Sequence, residues 1–370
     1  MKYKLSEVLT EFKEVNKNSL YEPVSVGKYG IRKRNEIYKK ELSDDYSKNK
    51  VIRKDNLIIG MGSNQIDVGV MVYDEIYSVS PAYHTYKINT SIVHSDYLEL
   101  LFKSNNATYF KKYSVATARQ GKKIDLKALL EEIIDIPSFE QQDILVSKIS
   151  DIEDLITEEE KSISLLDELT KSRFIELFGN PDLSPQKADW QMVTSFSQIV
   201  TGTTPATGDP DNWDGDILWV TPAEIEKDAF YLYDTERKIT EKGRKSKSLS
   251  LMPKGTIILS TRAPIGKVAI VGKEMACNQG FKNFVCKKNV NPVYLYFLLK
   301  YNTDYLNSIG SGTTFKEISK SKIEALRMPI PNKPIQDSFA LFVTEVDKLK
   351  FSRLVRNCMV FNQKMGGICA

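Results

Sequence analysis

The longest regular pattern in the sequence lies between about residues 141 and 177, where apolar residues recur three or four positions apart among charged ones. This spacing is typical of one face of a coiled-coil helix, and Gly179-Asn180-Pro181 predicts the end of the helix. A helix of this length would extend about 55 Å at about 1.5 Å per residue, which exceeds the needs of one domain core. We therefore predict that a second helix covers the apolar face. That face consists of Leu145, Ile149, Ile152, Ile156, Ile163 and Leu166.

A second helix is predicted from about Ile335 onward, with Phe339, Val343, Val346 and Leu349 on one face. We expect it to pair with the first helix through these residues. The alternative is that the first helix is a generic linker. Beyond Leu349 the heptad spacing is lost, and the sequence finishes with a glycine-containing stretch at 366–370. We therefore expect the end of this C-terminal helix to be shortened or altered.

The junctions before the two helices are copies of each other. Ile136-Pro137 recurs as Ile330-Pro331, an offset of 330 − 136 = 194, and a helix start follows in both places. A second pair of similar segments, 97–105 and 294–302, is offset by 294 − 97 = 197. Both segments carry a helical pattern, whereas the rest of each copy shows Val, Ile, Tyr and Phe alternations broken by Gly, Pro and Asn. The sequence thus predicts one mixed module, written twice.

From this repetition we predict an α+β protein in which two similar domains are separated by long, paired antiparallel coiled-coil helices, as a pseudo-two-fold dumbbell. The predicted boundaries are 1–138 for the first domain, 139–179 for the central helix, 180–333 for the second domain and 334–370 for the C-terminal helix.

Composition narrows the class of protein. The 52 Lys and Arg residues against 48 Asp and Glu give a formal charge of only +4, which permits local basic faces without a polybasic tail. No apolar run reaches the roughly 18 residues of a membrane span, and no leader pattern is present, so we expect a cytoplasmic protein. The histidines, His84 and His94, and the cysteines lack metal-ligand spacing. We expect the thiols to be reduced; they are Cys277, Cys286, Cys358 and Cys369.

The sequence lacks the motifs of several enzyme classes. The segment 263–268 has neither the first glycine nor the hydroxyl of a phosphate-binding loop, so ATP hydrolysis is not expected. The segment 180–183 fails the pattern of amino-methyltransferases at its third and fourth positions. One alternative stays open: Asp211, Glu236 and Lys238 could supply the carboxylates and lysine of a Mg²⁺-dependent nuclease, although such loose patterns arise often by chance.

Loops rich in Gly, Thr, Asn and Trp favour contact with a ligand. They lie at 201–205 and 212–222, and a strand at 254–267 ends in a turn that carries Arg262. Together with basic clusters in both copies they favour a duplex ligand, whose phosphates and base edges suit Lys, Arg and polar side chains. Trp213 could instead be a buried anchor of its loop. The candidate DNA contacts are Arg32, Arg34, Asn64, Tyr83, Arg119 and Gln120 in the first copy, and Thr203, Thr204, Trp213, Ser260, Arg262 and Gln279 in the second.

Several of these segments closely resemble the DNA-specificity subunit of type I restriction-modification systems. The resemblance covers nearly the whole chain and is more specific in the second copy than in the first. The segments are Gly202-Thr203-Thr204-Pro205, residues 213–222, Ser260 to Gly266, Asn278-Gln279-Gly280, Ile330-Pro331 with Gln336, and Glu176-Leu177-Phe178-Gly179-Asn180.

The resemblance implies a non-catalytic subunit with two target-recognition domains, at 1–138 and 180–333, each binding one half of a bipartite asymmetric target in double-stranded DNA. It implies that the helices set the gap, that two methyltransferase subunits dock on them, and that two restriction and translocase subunits join later. S-adenosylmethionine, Mg²⁺ and ATP would be used by those partners, with no cofactor or metal bound by this chain. A coiled-coil scaffold without a nucleic-acid role is the remaining alternative.

Overall fold

The computed structural model describes residues 1–27, 30–37, 45–61, 66–109, 111–116, 122–226, 229–262, 264–312 and 316–366. By the distribution of its contacts the chain divides into two units. The first contains residues 1–157 with those from 357 onward, and the second contains residues 158–356. The boundary at 157/158 falls inside a long helix.

The first unit is a mixed structure of helices and strands, in which the first strand pairs with the strand that precedes this long helix. Its helices are α1 (Leu5–Val8), α2 (Ser95–Tyr109), α3 (Leu126–Leu130) and the start of α4 (Phe139–Phe178). Its strands are β1 (Lys2–Lys4), β2 (Leu9–Phe12), β3 (Val24–Gly27), β4 (Gly30–Lys33), β5 (Lys50–Ile52), β6 (Asn56–Met61), β7 (Ile66–Val70), β8 (Tyr77–Val79), β9 (His84–Ile88), β10 (Ser114–Ala116), β11 (Lys122–Ile124) and β12 (Ile133–Asp135).

A four-stranded antiparallel sheet of order β2-β9-β6-β7 forms the centre of this unit. Its central strand β6 pairs Leu57 with Tyr86 on one side and with Val70 on the other, and all three residues are buried in one apolar core. A separate two-stranded sheet of β1 and β12 sets Tyr3 opposite Ile134. The amino terminus is thereby tied to the segment that leads into α4.

The second unit repeats this plan with extra strands. Its helices are the remainder of α4, then α5 (Val193–Phe196), α6 (Glu241–Ser246), α7 (Pro292–Lys300), α8 (Thr303–Ile309), α9 (Lys320–Ala325) and α10 (Lys333–Gly366), of which the part up to residue 356 belongs to this unit. Its strands are β13 (Gln191–Met192), β14 (Ser197–Thr201), β15 (Trp213–Val220), β16 (Tyr231–Leu232), β17 (Arg237–Ile239), β18 (Ile257–Leu259), β19 (Val268–Val271), β20 (Ala276–Cys277), β21 (Lys282–Cys286) and β22 (Arg327–Met328).

The sheets of the two units have the same strand order. In the second unit the order is β14-β21-β18-β19-β16, whose first four strands correspond to β2-β9-β6-β7, and the terminal pair β13 and β22 corresponds to β1 and β12. A three-stranded sheet β17-β15-β20 is added beside it. The α+β class and the internal repeat predicted from the sequence are confirmed.

The predicted helices are present. The predicted segment 141–177 lies within α4, and the helix ends at Gly179, which has φ +78° and whose N–H donates to Ile175 O over 2.8 Å. The helical patterns near 97 and 294 fall in α2 and α7. Although heptad spacing is lost after Leu349, α10 continues to Gly366.

Within the second unit, α4 and α10 run antiparallel. The Phe174 ring of α4 lies 5.4 Å from that of Phe339, and further along, Glu159 binds Arg353 over 3.0 Å. Residue numbers thus rise along one helix as they fall along the other, as the sequence predicts. Phe174 and Phe339 also belong to the core of this unit with Tyr294 of α7, so these helices are part of the domain core as well as partners of each other.

The residues predicted to form the helix interface are placed as follows. Leu145 packs against the core of the first unit, Ile149 is half-buried, and Ile152 is buried. Ile156 is 38% exposed. In the second unit Ile163 and Leu166 are half-buried. Phe339, Val343 and Val346 are buried, whereas Leu349, predicted on the same face, is 53% exposed.

None of the helices in the described ranges is long and apolar enough to cross a membrane.

Candidate nucleic-acid interface

Residues 202–206 of the second unit form a loop that lies against the end of β20. Gly202 makes this approach possible, because a Cβ atom there would lie 1.8 Å from the main-chain oxygen of Cys277. The loop brings the Thr204 hydroxyl within 2.8 Å of Gln279 Oε1, to which it donates a hydrogen bond. Two predicted DNA contacts from distant parts of the sequence are therefore neighbours, and Gln279 is exposed.

Two buried tryptophans donate hydrogen bonds to the main chain of this loop. Trp213 and Trp219 are 8% and 2% exposed, and their rings meet edge to face at 5.1 Å. The Trp213 indole N–H donates to Ala206 O, and that of Trp219 donates to Thr203 O, each over 3.2 Å. Trp213, a candidate DNA contact, is thus placed as the buried anchor that the sequence also allowed.

Arg237, which no sequence pattern singled out, packs its guanidinium over this tryptophan pair. Its guanidinium carbon is 3.6 Å from the centre of the Trp213 ring and 5.4 Å from that of Trp219. The side chain is on an exposed residue of β17, opposite Trp219 in the sheet. No carboxylate in the described part of the chain forms an ion pair with Arg237. A cation fixed on an aromatic face and lacking an acidic partner suits phosphate or a base edge.

In the turn after β18, the hydroxyl of Ser260 forms hydrogen bonds with main-chain groups of the turn itself. Ser260 is fully buried; its hydroxyl donates to Pro264 O over 2.8 Å and accepts from the Lys267 N–H over 2.9 Å. The Thr261 N–H donates to Gly280 O over 2.8 Å, which sets this turn beside Gln279. Ser260 therefore shapes the turn.

Arg262 follows on the exposed side of the turn and is bound by one carboxylate. Its Nε donates to Glu317 Oε2 over 2.9 Å, while Lys282 Nζ donates to Glu317 Oε1 over 3.2 Å. The Lys282 side chain is only 8% exposed and that of Arg262 is 47% exposed. Burial would raise the pKa of Glu317, but the hydrogen bonds from Arg262 and Lys282 outweigh it and lower the pKa, so the carboxylate stays charged.

These contacts connect one candidate surface, which we call the second-unit loop surface. It consists of Thr203, Thr204, Arg237, Arg262 and Gln279. The chain of contacts runs from Arg237 through the tryptophans to Thr203 and Thr204, then to Gln279 and across the Gly280–Thr261 hydrogen bond to Arg262.

Two residues of the nuclease hypothesis, Asp211 and Lys238, form ion pairs with other residues instead. Asp211 accepts from Lys242 over 2.8 Å, and this hydrogen bond lowers the pKa of Asp211. Lys238 lies 3.7 Å from Asp234 instead. In the described ranges, no group of three or more His, Cys, Asp or Glu side chains is arranged to hold a metal ion.

In the first unit the structure brings Arg34 and Tyr83 together. Both line a cavity of about 260 Å³. Arg34 Nη1 donates to the Tyr46 hydroxyl over 3.4 Å, and the Tyr83 hydroxyl donates to Val26 O over 3.2 Å. Arg32 is an exposed residue of β4, whose first two residues are buried. The other candidates of this unit, Asn64, Arg119 and Gln120, lie outside the described residues.

Comparison with known proteins identifies the family of this fold. The sequence matches the family described as "Type I restriction modification DNA specificity domain" over residues 1–168 and again over 187–353. The chain belongs to this family. The two matched segments correspond to the repeat seen in the sheet order.

The curated relatives of this chain include specificity subunits of type I restriction enzymes. The chain is 37% identical over 186 residues to the type I restriction enzyme MjaIX specificity subunit of Methanocaldococcus jannaschii, a match covering 49% of this chain and 43% of that protein. It is 22% identical over 173 residues to the type I restriction enzyme HindI specificity subunit of Haemophilus influenzae, covering 45% of this chain and 38% of that protein. Each match therefore spans less than half of the relative's length.

Solved structures share the fold over nearly the whole chain. One is a chain from a study of complex assembly and conformational transition of the type I restriction-modification system, with a TM-score of 0.58 at 16% identity and coverage of 99% of this chain and 95% of that one. Another is the S subunit of a type I restriction-modification system from M. genitalium, with a TM-score of 0.53 at 12% identity and coverage of 99% and 94%.

Proposed function

We propose that the chain is a sequence-specific DNA-binding subunit without catalytic activity, which recognises a bipartite asymmetric target and directs the methyltransferase and restriction subunits of a type I restriction-modification complex to it. The observation that carries this proposal is the repeated sheet, β2-β9-β6-β7 and β14-β21-β18-β19, in a chain of the DNA specificity family. Two related domains can each bind one half of a split target. Their boundaries are 1–138 and 180–333, and the helices at 139–179 and 334–370 set the gap.

DNA binding by the second domain is supported by the second-unit loop surface. It combines two cations, Arg237 and Arg262, with the hydroxyl and amide groups of Thr204 and Gln279. Arginine contacts phosphate or the guanine edge, and amides suit adenine. Trp213 and Ser260 support this surface from inside. In the first domain the corresponding contacts are Arg32, Arg34 and Tyr83, together with Asn64, Arg119 and Gln120.

Docking of two methyltransferase subunits on the long helices is supported by apolar side chains that face away from the cores. On α4 these include Leu165 and Leu169, which are 54% and 49% exposed and one helical turn apart. On α10, Leu341 and Phe351 are 70% and 69% exposed. Exposed apolar side chains of this kind fit a protein partner. Two restriction and translocase subunits complete the complex in the cytoplasm, and S-adenosylmethionine, Mg²⁺ and ATP serve these partners.

Methylation mapping tests the proposal. The chain is expressed with its methyltransferase subunits in a host that lacks other methyltransferases, and modified bases are mapped across the genome. We expect one two-part motif with a fixed gap, present only when this chain is present. Methylation without a split motif, or independent of this chain, would overturn the proposal. Incubation of the purified chain with Mg²⁺ and plasmid is the control for the nuclease hypothesis, and we expect uncut DNA.

A further inference from the structure

The carboxylate of Glu317 serves two cations of very different exposure. One oxygen accepts from the nearly buried Lys282 over 3.2 Å, and the other accepts from Nε of the exposed Arg262 over 2.9 Å. The main chains of Arg262 and Glu317 are also paired as an antiparallel bridge, so the carboxylate is carried on backbone that is fixed relative to the arginine.

The geometry leaves the end of the arginine available. Of the three Arg262 side-chain nitrogens, only Nε donates to Glu317, and neither terminal nitrogen, Nη1 or Nη2, has a hydrogen-bond partner in the described chain. Two parallel N–H donors on one planar group are what recognition of guanine O6 and N7 requires. Arginine has a long side chain whose rotamer entropy is lost on binding, and a carboxylate at Nε removes part of that loss beforehand.

The ion pair with Lys282 keeps the Glu317 carboxylate in place. Lys282 also lies 3.4 Å from the Thr261 hydroxyl, beneath the turn that carries Arg262. Because Lys282 is nearly buried, its charge requires a partner, and Glu317 provides it. One carboxylate between two cations leaves one net positive charge, so the group still attracts DNA while the arginine is held.

We propose that Glu317 is a positioning residue that orients the Arg262 guanidinium for contact with a base pair in one half-site, with Lys282 as its buried counter-ion. The inference rests on the proposed function and deepens it. It assigns sequence discrimination to a glutamate that would repel DNA if it acted alone. A purely structural role for Glu317 predicts a different result, because loss of folding would weaken binding to every sequence equally.

The test uses the complex with its methyltransferase subunits and duplexes that carry the methylation motif with one half-site randomised. After selection and sequencing, we expect Glu317→Gln to lose on the order of 10-fold in discrimination at one or two base pairs of one half-site. Arg262→Ala should become degenerate at the same base pairs. Affinity for random-sequence duplex should stay equal or rise, since a negative charge is removed, and the other half-site should be unchanged.

Two further variants make the result decisive. In Lys282→Met combined with Glu317→Gln no buried charge is left without a partner, and the same base pairs should become degenerate even if the single variant folds poorly. Glu176→Gln removes an exposed glutamate that binds Arg173 on α4 and should select the wild-type motif. An unchanged motif in both Glu317 variants, or equal loss of affinity for all sequences, would reject the inference. If the wild-type complex selected no split motif, the proposed function itself would fail.

Discussion

Gln142 and Gln336 are equivalent residues of the two repeats and have two hydrogen bonds in common. Both side chains are fully buried, and the residues are 336 − 142 = 194 positions apart, the offset of the Ile-Pro junctions. Gln142 Oε1 accepts from the His94 N–H just before α2, and Gln336 Oε1 accepts from the Asn291 N–H just before α7, each over 2.8 Å. Each glutamine therefore fixes the start of a long helix to the start of a domain helix in its own unit.

Loss of either glutamine should destabilise its own unit. Each amide also donates to the carbonyl of the preceding proline, Pro137 or Pro331. Replacing Gln142 or Gln336 by Ala leaves a main-chain N–H unpaired, and we expect a loss of about 1–3 kcal/mol of unfolding free energy in each case. Urea unfolding followed by circular dichroism measures Gln142→Ala. For Gln336→Ala tryptophan fluorescence is specific, because all three tryptophans lie in the second unit.

The exposed Gln198 on β14 provides the control for both substitutions. Gln198→Ala should change the unfolding free energy by less than about 0.5 kcal/mol. If the buried glutamines behaved like Gln198, the hydrogen bonds at the helix starts would contribute nothing to stability.

Gly202 is expected to be essential to the second-unit loop surface. In Gly202→Ala the new methyl group would collide with the Cys277 carbonyl, since the atoms would be 1.8 Å apart. The loop that carries Thr203 and Thr204 must then move away from Gln279, and we expect at least about a tenfold loss of affinity for the half-site bound by the second domain. Gly208 is the matched control, because a Cβ atom there meets nothing within 4 Å. Electrophoretic mobility shift with half-site duplexes distinguishes them. Equal affinity of both variants would contradict this assignment.

The cysteines of the second unit should be inert in the folded chain. Burial raises the pKa of Cys277 to about 12, and burial also raises the pKa of Cys286 to about 12. Only the thiolate reacts with iodoacetamide, so both should stay unlabelled at pH 8 and below. Labelling should begin only as the pH approaches these values or when urea unfolds the unit. Mass spectrometry of the alkylated peptides measures this. Rapid labelling of Cys277 or Cys286 in the native chain at pH 8 would show that these side chains are accessible.

Local sequence patterns were sufficient for the elements and their repetition. The three- and four-residue spacing predicted α4, the glycine at 179 predicted its end, and the Ile-Pro junctions predicted the duplicated fold. These features depend on residues close in sequence or on copies of one pattern. The role of Gln336 could not be predicted in the same way, because its partner Asn291 is 45 positions away.

The candidate site was predicted less completely, because it too depends on contacts between residues that are distant in the sequence. Polar residues in glycine-rich loops indicated the correct segments, but whether a hydroxyl faces outward depends on the turn, and that of Ser260 is used inside it. Arg237 was missed because its contact with Trp213 depends on the pairing of β15 with β17, whose register shifts between Trp213 and Ile217. No local pattern encodes such a shift.

Substitutions of Arg237 can distinguish the effect of its charge on DNA binding from the effect of its stacking on Trp213. Arg237→Ala removes a cation, so we expect weaker DNA binding and a decrease of about 1 in the slope of log affinity against log salt concentration. Arg237→Lys keeps the charge but loses the planar stack on Trp213. We therefore expect the wild-type salt slope and a smaller loss of affinity than in Arg237→Ala. Fluorescence anisotropy over a salt series measures both. Arg173→Ala, on α4, is the control and should leave the slope unchanged. If all three variants gave the wild-type slope, Arg237 would not contact a phosphate, and its stacking on the tryptophans would serve only to stabilise the loop.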